Sequence, residues 1–348
     1  MKLGLTTERL RPGAPIFDGS SVYTRQILHG MPAFGWQVEP HLQPAYEKAL
    51  WRGLWRAAEA PADIMHVTDY RVERWRCPVV ATLYDAIPMA QPQFASQHRR
   101  ALKNAVMRYV TRYADRIVCI SAFAAEEVQH YYKISAERLS IIPCGIDELW
   151  LQALDPGLVA AVVQERGLRP GYVLAVGTLQ PRKNFLRLLQ AHQRLAPALQ
   201  RQHPLLLIGR PGWACAELVA QLQAAEPGGT VRWLHDVASL QELRALYAGA
   251  ALFALPSLHE GFGLPLLEAY ASGLPALIHA GSSLPEVAGG AALAVDGRDV
   301  AALCRGMTAL LEDAGERRER ALRGRARAEV LTAQAMNQAL DRLYRTLL

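Results

Sequence analysis

The chain holds 348 residues, 51% hydrophobic and 20% charged, which suits two domains with separate cores and is too apolar for a disordered protein. Its net charge of +6 is modest for that length, and without zinc-finger spacing, an arginine-rich tail or an aromatic-basic ladder it points away from nucleic acid. No apolar run approaches the roughly 18 residues that span a bilayer, and charge at Lys2, Glu8 and Arg9 followed by Pro12 interrupts any signal region, so a soluble or peripheral cytoplasmic protein is expected.

Residues 2–7 read as a first strand, followed by a loop over 12–21 and a helix through Val22, Ile27 and Leu28. Gly19 at the mouth of that helix would let a phosphate approach, and a plain turn fits the spacing equally well. Ile64–Val67 and Val79–Leu83 are short apolar runs that read as buried strands, the second leading into Tyr84 and Asp85. Brief apolar runs alternating with helical stretches indicate a parallel α/β sheet, whose ligands lie beyond the carboxyl ends of its strands. Tyr84 and Asp85 fall at such an end, with a helix or turn cap as the structural alternative for Asp85.

Over 93–116 the chain carries Arg99, Arg100, Lys103, Arg108, Arg112 and Arg116 against the single acid Asp115. Leu102, Val106, Tyr109, Val110 and Tyr113 recur at helical spacing on the other side, giving a basic amphipathic helix. A solvated face is the default for it, and docking on an anionic membrane is the alternative. A strand over 115–121 ends at Ser121; a helix to Tyr132 and a run over 139–147 follow. Periodicity then weakens until Tyr172, where Pro156, Gly157, Gly167 and Pro170 punctuate the chain. A linker there divides an amino-terminal domain, 1–165, from a second, 166–331.

The second half repeats the rhythm with strands at Tyr172–Val176, Leu205–Ile208, Val231–Leu234, 251–255, 276–278 and 291–295, and 332–348 reads as an amphipathic helix. Five scattered cysteines with no Cys-x-x-Cys spacing fit reduced core thiols.

The stretch 255–273 organises the chemistry. An apolar run ends at Pro256, Gly261 and Gly263 form a turn, Pro265 starts a helix and Gly273 stops it. Such a turn aims backbone N–H groups and a helix dipole at one point, where a phosphate would be held. Glu260 and Glu268, roughly 12 Å apart along a continuous helix, are too distant to share a proton or a metal. They suit two hydroxyl-rich groups on either side of a phosphate, because a carboxylate is a pure acceptor and a vicinal diol supplies two donors. Two solvated glutamates would be the bland reading; Phe262, Leu264, Leu266 and Leu267 crowd them too closely for that. At the end of the 172–176 strand, Gly177 precedes Arg182-Lys183-Asn184 at the entrance to a helix. Cations there oppose the helix dipole unless an anion such as a diphosphate lies between.

The 260–268 stretch resembles the Glu-x7-Glu motif of the retaining glycosyltransferases of family four, and 177–184 resembles their Gly-x-x-x-x-Arg-Lys-Asn segment. The likeness extends over nearly the whole chain through 16–28, 82–88, 114–121, 142–147, 208–213 and 282–287. It implies an α/β GT-B fold, two Rossmann-like domains facing each other across a deep cleft, with helix 332–348 packing back on the first. It also implies a nucleoside diphosphate sugar donor, a saccharide or lipid-linked acceptor, and no cofactor. By this resemblance Glu268 holds the ribose, Glu260 the donor sugar, and the amides of Gly261, Phe262, Gly263 and Leu264 the distal phosphate. Gly19 and Gly177 face the diphosphate, while Arg182 and Lys183 stabilise charge on it as it leaves. Tyr84, Asp85 and Ser121 fall on the acceptor or sugar side, and Asp85 is a candidate base, although a retaining enzyme can use the leaving phosphate instead. No metal is expected, since two cations and a helix terminus supply the positive field and the chain has no Asp-x-Asp. The donor expected is guanosine-linked mannose or, because Tyr84 replaces the family's usual histidine, a 6-deoxyhexose. A nucleotide-sugar epimerase and a non-catalytic partner subunit are the alternatives.

Overall fold

The structure is a computed structural model and describes residues 1–10, 18–42, 57–94 and 100–348. It divides into two compact units, Met1–Gly145 with Leu331–Leu348, and Ile146–Val330. This boundary precedes the one expected at 165/166. Helix Pro156–Glu165 packs on helix Leu240–Ala248, and Arg166 pairs with Asp236 and Glu242, so the segment after Gly145 belongs to the second core.

In the first unit, β1 (Lys2–Thr6), β2 (Gln37–His41), β3 (Ile64–Val67), β4 (Val79–Leu83), β5 (Arg116–Cys119) and β6 (Leu139–Ile141) make one parallel sheet in the order β2-β1-β3-β4-β5-β6. Strands β3 and β4 are buried along their whole length, the pattern of a sheet covered on both faces. β2 is the strand that sequence patterning missed: it is a half-exposed edge strand reading Gln-Val-Glu-Pro-His, with no apolar run to mark it. The last helix, Ala333–Arg345, lies in this unit. Trp36 Nε1 donates to Asp341 at 2.7 Å, Asn337 Nδ2 donates to Gln26 O at 3.0 Å, and the Tyr344 hydroxyl meets buried His66 Nδ1 at 2.5 Å.

In the second unit, β7 (Tyr172–Val176), β8 (Leu205–Ile208), β9 (Val231–Leu234), β10 (Ala250–Leu255), β11 (Ala276–His279) and β12 (Leu293–Val295) form a parallel sheet in the order β12-β11-β10-β7-β8-β9. Counted from its own first strand this is the 3-2-1-4-5-6 order of dinucleotide-binding sheets. Its core packs Phe185, Leu188 and Leu189 of one helix and Leu303, Met307 and Leu310 of another against Val173, Leu205, Leu207 and Leu252.

That order positions a site. The chain leaves β7 toward β8 and leaves β10 toward β11, in opposite directions, although β7 and β10 are neighbours. Their outgoing loops part and open a crevice at the carboxyl ends of the strands.

Candidate active site

The loop leaving β7 carries Arg182 and Lys183 in a single 3-10 turn, Pro181–Lys183, and not in the helix itself. Asn184 follows in the left-handed conformation, φ 60°, and the helix Phe185–Gln193 begins after it. Asparagine tolerates that backbone through its short polar side chain. Asn184 Nδ2 lies 3.1 Å from Pro256 O and 2.7 Å from Gly297 O, tying the loops after β7, β10 and β12 together.

The loop leaving β10 brings Glu260 onto both cations. Arg182 Nη1 donates to Glu260 Oε2 at 2.8 Å and to His259 O at 3.0 Å, and Lys183 Nζ donates to Glu260 Oε1 at 2.6 Å. Leu258 N–H closes the arrangement on Arg182 O at 2.8 Å. Only 6% of Glu260 and 8% of Lys183 is exposed. Burial by itself would raise the Glu260 carboxyl, but Arg182 and Lys183 prevail and hold it well below the usual carboxylate range. The anion that sequence reasoning required beside the cations is thus present within the chain. Gly177, expected to face the diphosphate, lies against Lys183, whose Cε would be 3.3 Å from a Cβ there.

The glycine turn forms where the sequence placed it. Gly263 has φ 98°, and a Cβ on it would come within 2.8 Å of Leu284 Cδ2, so both backbone and space require glycine. The helix Leu264–Ala271 follows. Ser283 Oγ, fully buried, lies 2.8 Å from Glu260 O and 3.2 Å from Phe262 O and fixes the turn from the other side. Glu268, partly buried in that helix, accepts from Tyr247 Oη at 2.8 Å. Burial pushes its carboxyl up to about 7, against the Tyr247 hydrogen bond and the charge of Lys183.

Arg182, Lys183, Glu260, Gly261, Phe262, Gly263, Leu264 and Glu268 therefore gather at the second unit's crevice. Asn184, Ser283 and Tyr247 support them and were not singled out from sequence. An asparagine directly after two cations was a legible signal for the first; nothing in the local pattern marked the other two.

Gly19, Tyr84, Asp85 and Ser121 lie in the first unit. Exposed Gly19 opens the helix Gly19–Gly30. Tyr84 donates its hydroxyl to Thr68 O at 3.2 Å and stands edge-on to Tyr23. Asp85 Oδ1 accepts from Tyr70 Oη at 2.7 Å and from Ile87 N at 3.0 Å, the turn-capping arrangement. Buried Ser121 caps the helix Ala122–Tyr132 through Ala124 N.

In the basic stretch 93–116, Arg99 and the side chains of Arg100, Leu102 and Lys103 lie outside the described residues. Arg108 donates to Tyr131 O and Arg116 to Glu137 O. Among the described residues no group of three His, Cys, Asp or Glu is placed to hold a metal, and no helix is long and apolar enough to cross a membrane.

Residues 163–327 match the family described as Glycosyl transferases group 1, and 18–148 match Glycosyltransferase Family 4. The O-antigen chain mannosyltransferase B of Escherichia coli is 32% identical over 276 residues, covering 77% of this chain and 70% of that protein. Among solved structures, the sucrose-phosphate synthase of Thermosynechococcus elongatus superposes with a TM-score of 0.80 at 20% identity, over 99% of this chain and 98% of that one. Anabaena HepE, solved with UDP-glucose, gives 0.76 at 18% identity over both whole chains. The fold, the motif-bearing crevice and the mannosyltransferase relative agree: the chain belongs to the group 1 glycosyl transferases and is a glycosyltransferase of the two-domain GT-B fold.

Proposed function

We propose that the chain transfers a hexose, with retention of configuration, from a nucleoside diphosphate sugar to a hydroxyl of a saccharide or lipid-linked acceptor in lipopolysaccharide-type assembly. The observation that carries this reading is the cluster of half-buried Arg182 with buried Glu260 and Lys183 at the second sheet's switch point, beside a glycine turn that opens a helix. Diphosphate oxygens compete with Glu260 for the two cations, which then stabilise the charge that grows on the leaving group. The Glu260 oxygens freed in that exchange accept from donor-sugar hydroxyls, and Glu268 accepts from the ribose diol. Gly177 and the amides of 261–264 border the phosphates. The name of the E. coli relative favours a mannose donor, taken here as guanosine-linked, over a 6-deoxyhexose.

Because Asp85 Oδ1 is engaged by Tyr70 and Ile87, the leaving phosphate is the better base for the acceptor hydroxyl. Two side-chain cations and a helix terminus at the crevice support metal-independent turnover, which EDTA should leave intact. The test of the whole reading is incubation with sugar-labelled GDP-mannose and with other nucleotide sugars: label must move to an acceptor fraction. Label that only changes configuration on the nucleotide, or no melting shift with any nucleotide, would sink it.

Peripheral contact with an anionic membrane through 93–116 is the remaining element of the proposal. Charge reversal at Arg100, Lys103 and exposed Arg112, sparing the Arg108 that holds Tyr131 O, should lower sedimentation with phosphatidylglycerol vesicles. Equal sedimentation would leave a solvated face.

A further inference from the structure

In the second unit β11 ends at His279, a buried residue that is not among those assigned to the donor. Its Nδ1 lies 3.0 Å from Gly297 N. An N–H can donate only to a bare ring nitrogen, so the imidazole is neutral and carries its proton on Nε2. Glycine flanks the ring on both sides. A Cβ on Gly281 would come within 2.8 Å of Nε2, and one on Gly297 within 3.2 Å of Nδ1 and 3.0 Å of Pro256 O. The loop after β12 is thus drawn onto the ring with no side chain between them.

Gly297 is held from its other side by Asn184. Asn184 Nδ2 donates one hydrogen to Gly297 O at 2.7 Å and the other to Pro256 O at 3.1 Å, and its Oδ1 accepts from Arg187 Nη1 at 3.0 Å. A buried carboxamide with all of these bonds made is fixed in one orientation. Asn184 directly follows Lys183, and its left-handed φ of 60° ends the turn Pro181–Lys183. A continuous chain of contacts therefore runs from the His279 ring through Gly297 and Asn184 to the turn whose two cations meet Glu260. Among the described residues, the charged groups that face the ring are Asp296, with Oδ1 4.0 Å from Nδ1, and Arg298, both from the loop after β12. Burial first and Arg298 second hold the ring below the ordinary histidine value, against the opposing pull of Asp296.

We propose that His279 is a positioning residue for the transfer reaction: its bare Nδ1 anchors Gly297, and through Gly297 and Asn184 it fixes the turn that presents Arg182 and Lys183. The inference rests on the glycosyl-transfer reading and adds to it a proton-dependent support that lies outside the donor contacts. A proton on Nδ1 replaces the acceptor by a second donor facing Gly297 N–H, which releases the loop after β12 and lets the Asn184 carboxamide turn. Lys183 Nζ then stands off the place where charge develops, so the loss falls on turnover more than on donor binding.

The test uses the full chain at saturating nucleotide sugar. His279→Leu, similar in volume but without an acceptor, should lower kcat by about 10- to 100-fold with donor KM changed far less. His279→Asn keeps an acceptor oxygen one bond beyond Cγ, where Nδ1 stands, and should retain most of the turnover. Wild-type kcat should fall as pH drops below the ordinary histidine value of about 6.5, and that acid limb should be absent from His279→Asn. In Asn184→Gly, which keeps the left-handed backbone and removes the carboxamide, adding His279→Leu should cost little more. By heteronuclear NMR the Asn184 carboxamide should shift together with the His279 ring as pH falls. The proposal is overturned if folded His279→Leu turns over as wild type, if His279→Asn keeps the wild-type acid limb, if His279→Leu has its full effect in Asn184→Gly, or if the ring titrates while the Asn184 carboxamide stays unmoved. Where His279→Leu does not fold, the His279→Asn profile decides. Absence of transfer from any nucleotide sugar by the wild type would reject the donor reading instead, and the NMR titration would then judge the tie between ring and turn by itself.

Discussion

The two switch points share one topological device and hold different ion clusters. In the second unit, Glu260 and Lys183 are more than nine-tenths buried and every carboxylate oxygen of Glu260 meets a cation within 2.8 Å. In the first, where the chain leaves β1 and β3 toward opposite sides, Asp69 is 8% exposed, as buried as Lys183, and Arg9 and Arg71 reach one of its oxygens at 3.4 Å and 3.1 Å from half-buried side chains. The two carboxylates are buried alike and differ in how cations meet them: one on each oxygen of Glu260, two on a single oxygen of Asp69. The lesson is that the same residue types make different ion clusters according to which carboxylate oxygens the cations reach.

The largest effect expected from breaking that contrast is at Glu260. Glu260→Gln leaves buried Lys183 and half-buried Arg182 without their counter-charge, and breaking a buried pair costs about 3 to 5 kcal/mol. The ligand-free protein should therefore melt lower, while the shift produced by a nucleoside diphosphate should grow, because that anion now supplies the missing charge. Calorimetry with and without GDP reads both. A lower melting temperature with an unchanged or smaller ligand shift would show that the diphosphate does not meet these cations.

Lys183→Ala comes next. Removing one preorganised donor from a dry site lowers turnover on the order of 10² to 10³. Steady-state rates at saturating donor should fall in that range with KM for donor changing far less, since Lys183 acts on charge formed in the transition state. Wild-type turnover in this variant removes Lys183 from the chemistry.

A pH titration sharpens the contrast further, because Glu268 lies near the buried cations yet titrates close to neutrality. Its folded value of about 7 lies above the ordinary 4.5, so its protonated form is favoured by folding. That contribution to stability is complete below the unfolded value and is lost as pH rises through 7. Ligand binding runs the other way: only the ionised carboxylate is a pure acceptor for a ribose diol. Nucleotide affinity should weaken by about tenfold per unit as pH falls below 7 if this single proton controls it, and Glu268→Gln should flatten the curve. An unchanged slope in Glu268→Gln places the titration elsewhere.

How much of this was legible before the fold was known follows from where each signal resides. Strands buried on both faces read as unbroken apolar runs, so Tyr172–Val176 and Leu205–Ile208 stood out, while the edge strand Gln37–His41 left no such trace. The glycine turn before Leu264 was legible because backbone conformation and residue type are coupled locally at Gly263. The pairing of Arg182 with Glu260 was not, because the partners are 78 positions apart and only the neighbouring of β7 and β10 brings them together. The same reason hid Asp69 from Arg9. At Asp85 the sequence left capping and chemistry open and the hydrogen bonds show a cap; at Ser121 the cap on Ala124 N was not foreseen from sequence.

The smallest effect concerns Tyr84, where a phenol replaces the imidazole usual in the family. A phenol filling the place of a 6-hydroxyl would favour a 6-deoxy donor. Its hydroxyl, however, reaches back to Thr68 O at 3.2 Å, and its ring meets Tyr23 edge-on with centroids 5.6 Å apart. Tyr23 is in turn fully buried and bonded to Thr82 Oγ1 at 2.9 Å, so Tyr84 closes a chain of contacts that begins inside the first sheet. Burial pushes the Tyr84 hydroxyl well above its ordinary value, which removes it further from proton transfer near neutrality. Tyr84→Phe should lose about 1 kcal/mol of stability, the net worth of one hydrogen bond, with little change in turnover. The ratio of kcat/KM for mannose and 6-deoxymannose donors should be the same in wild type, Tyr84→Phe and Tyr84→His. A ratio that moves toward the 6-hydroxyl donor in Tyr84→His would instead make this ring a selector of donor sugar, and would bring the first unit's strand end into donor recognition.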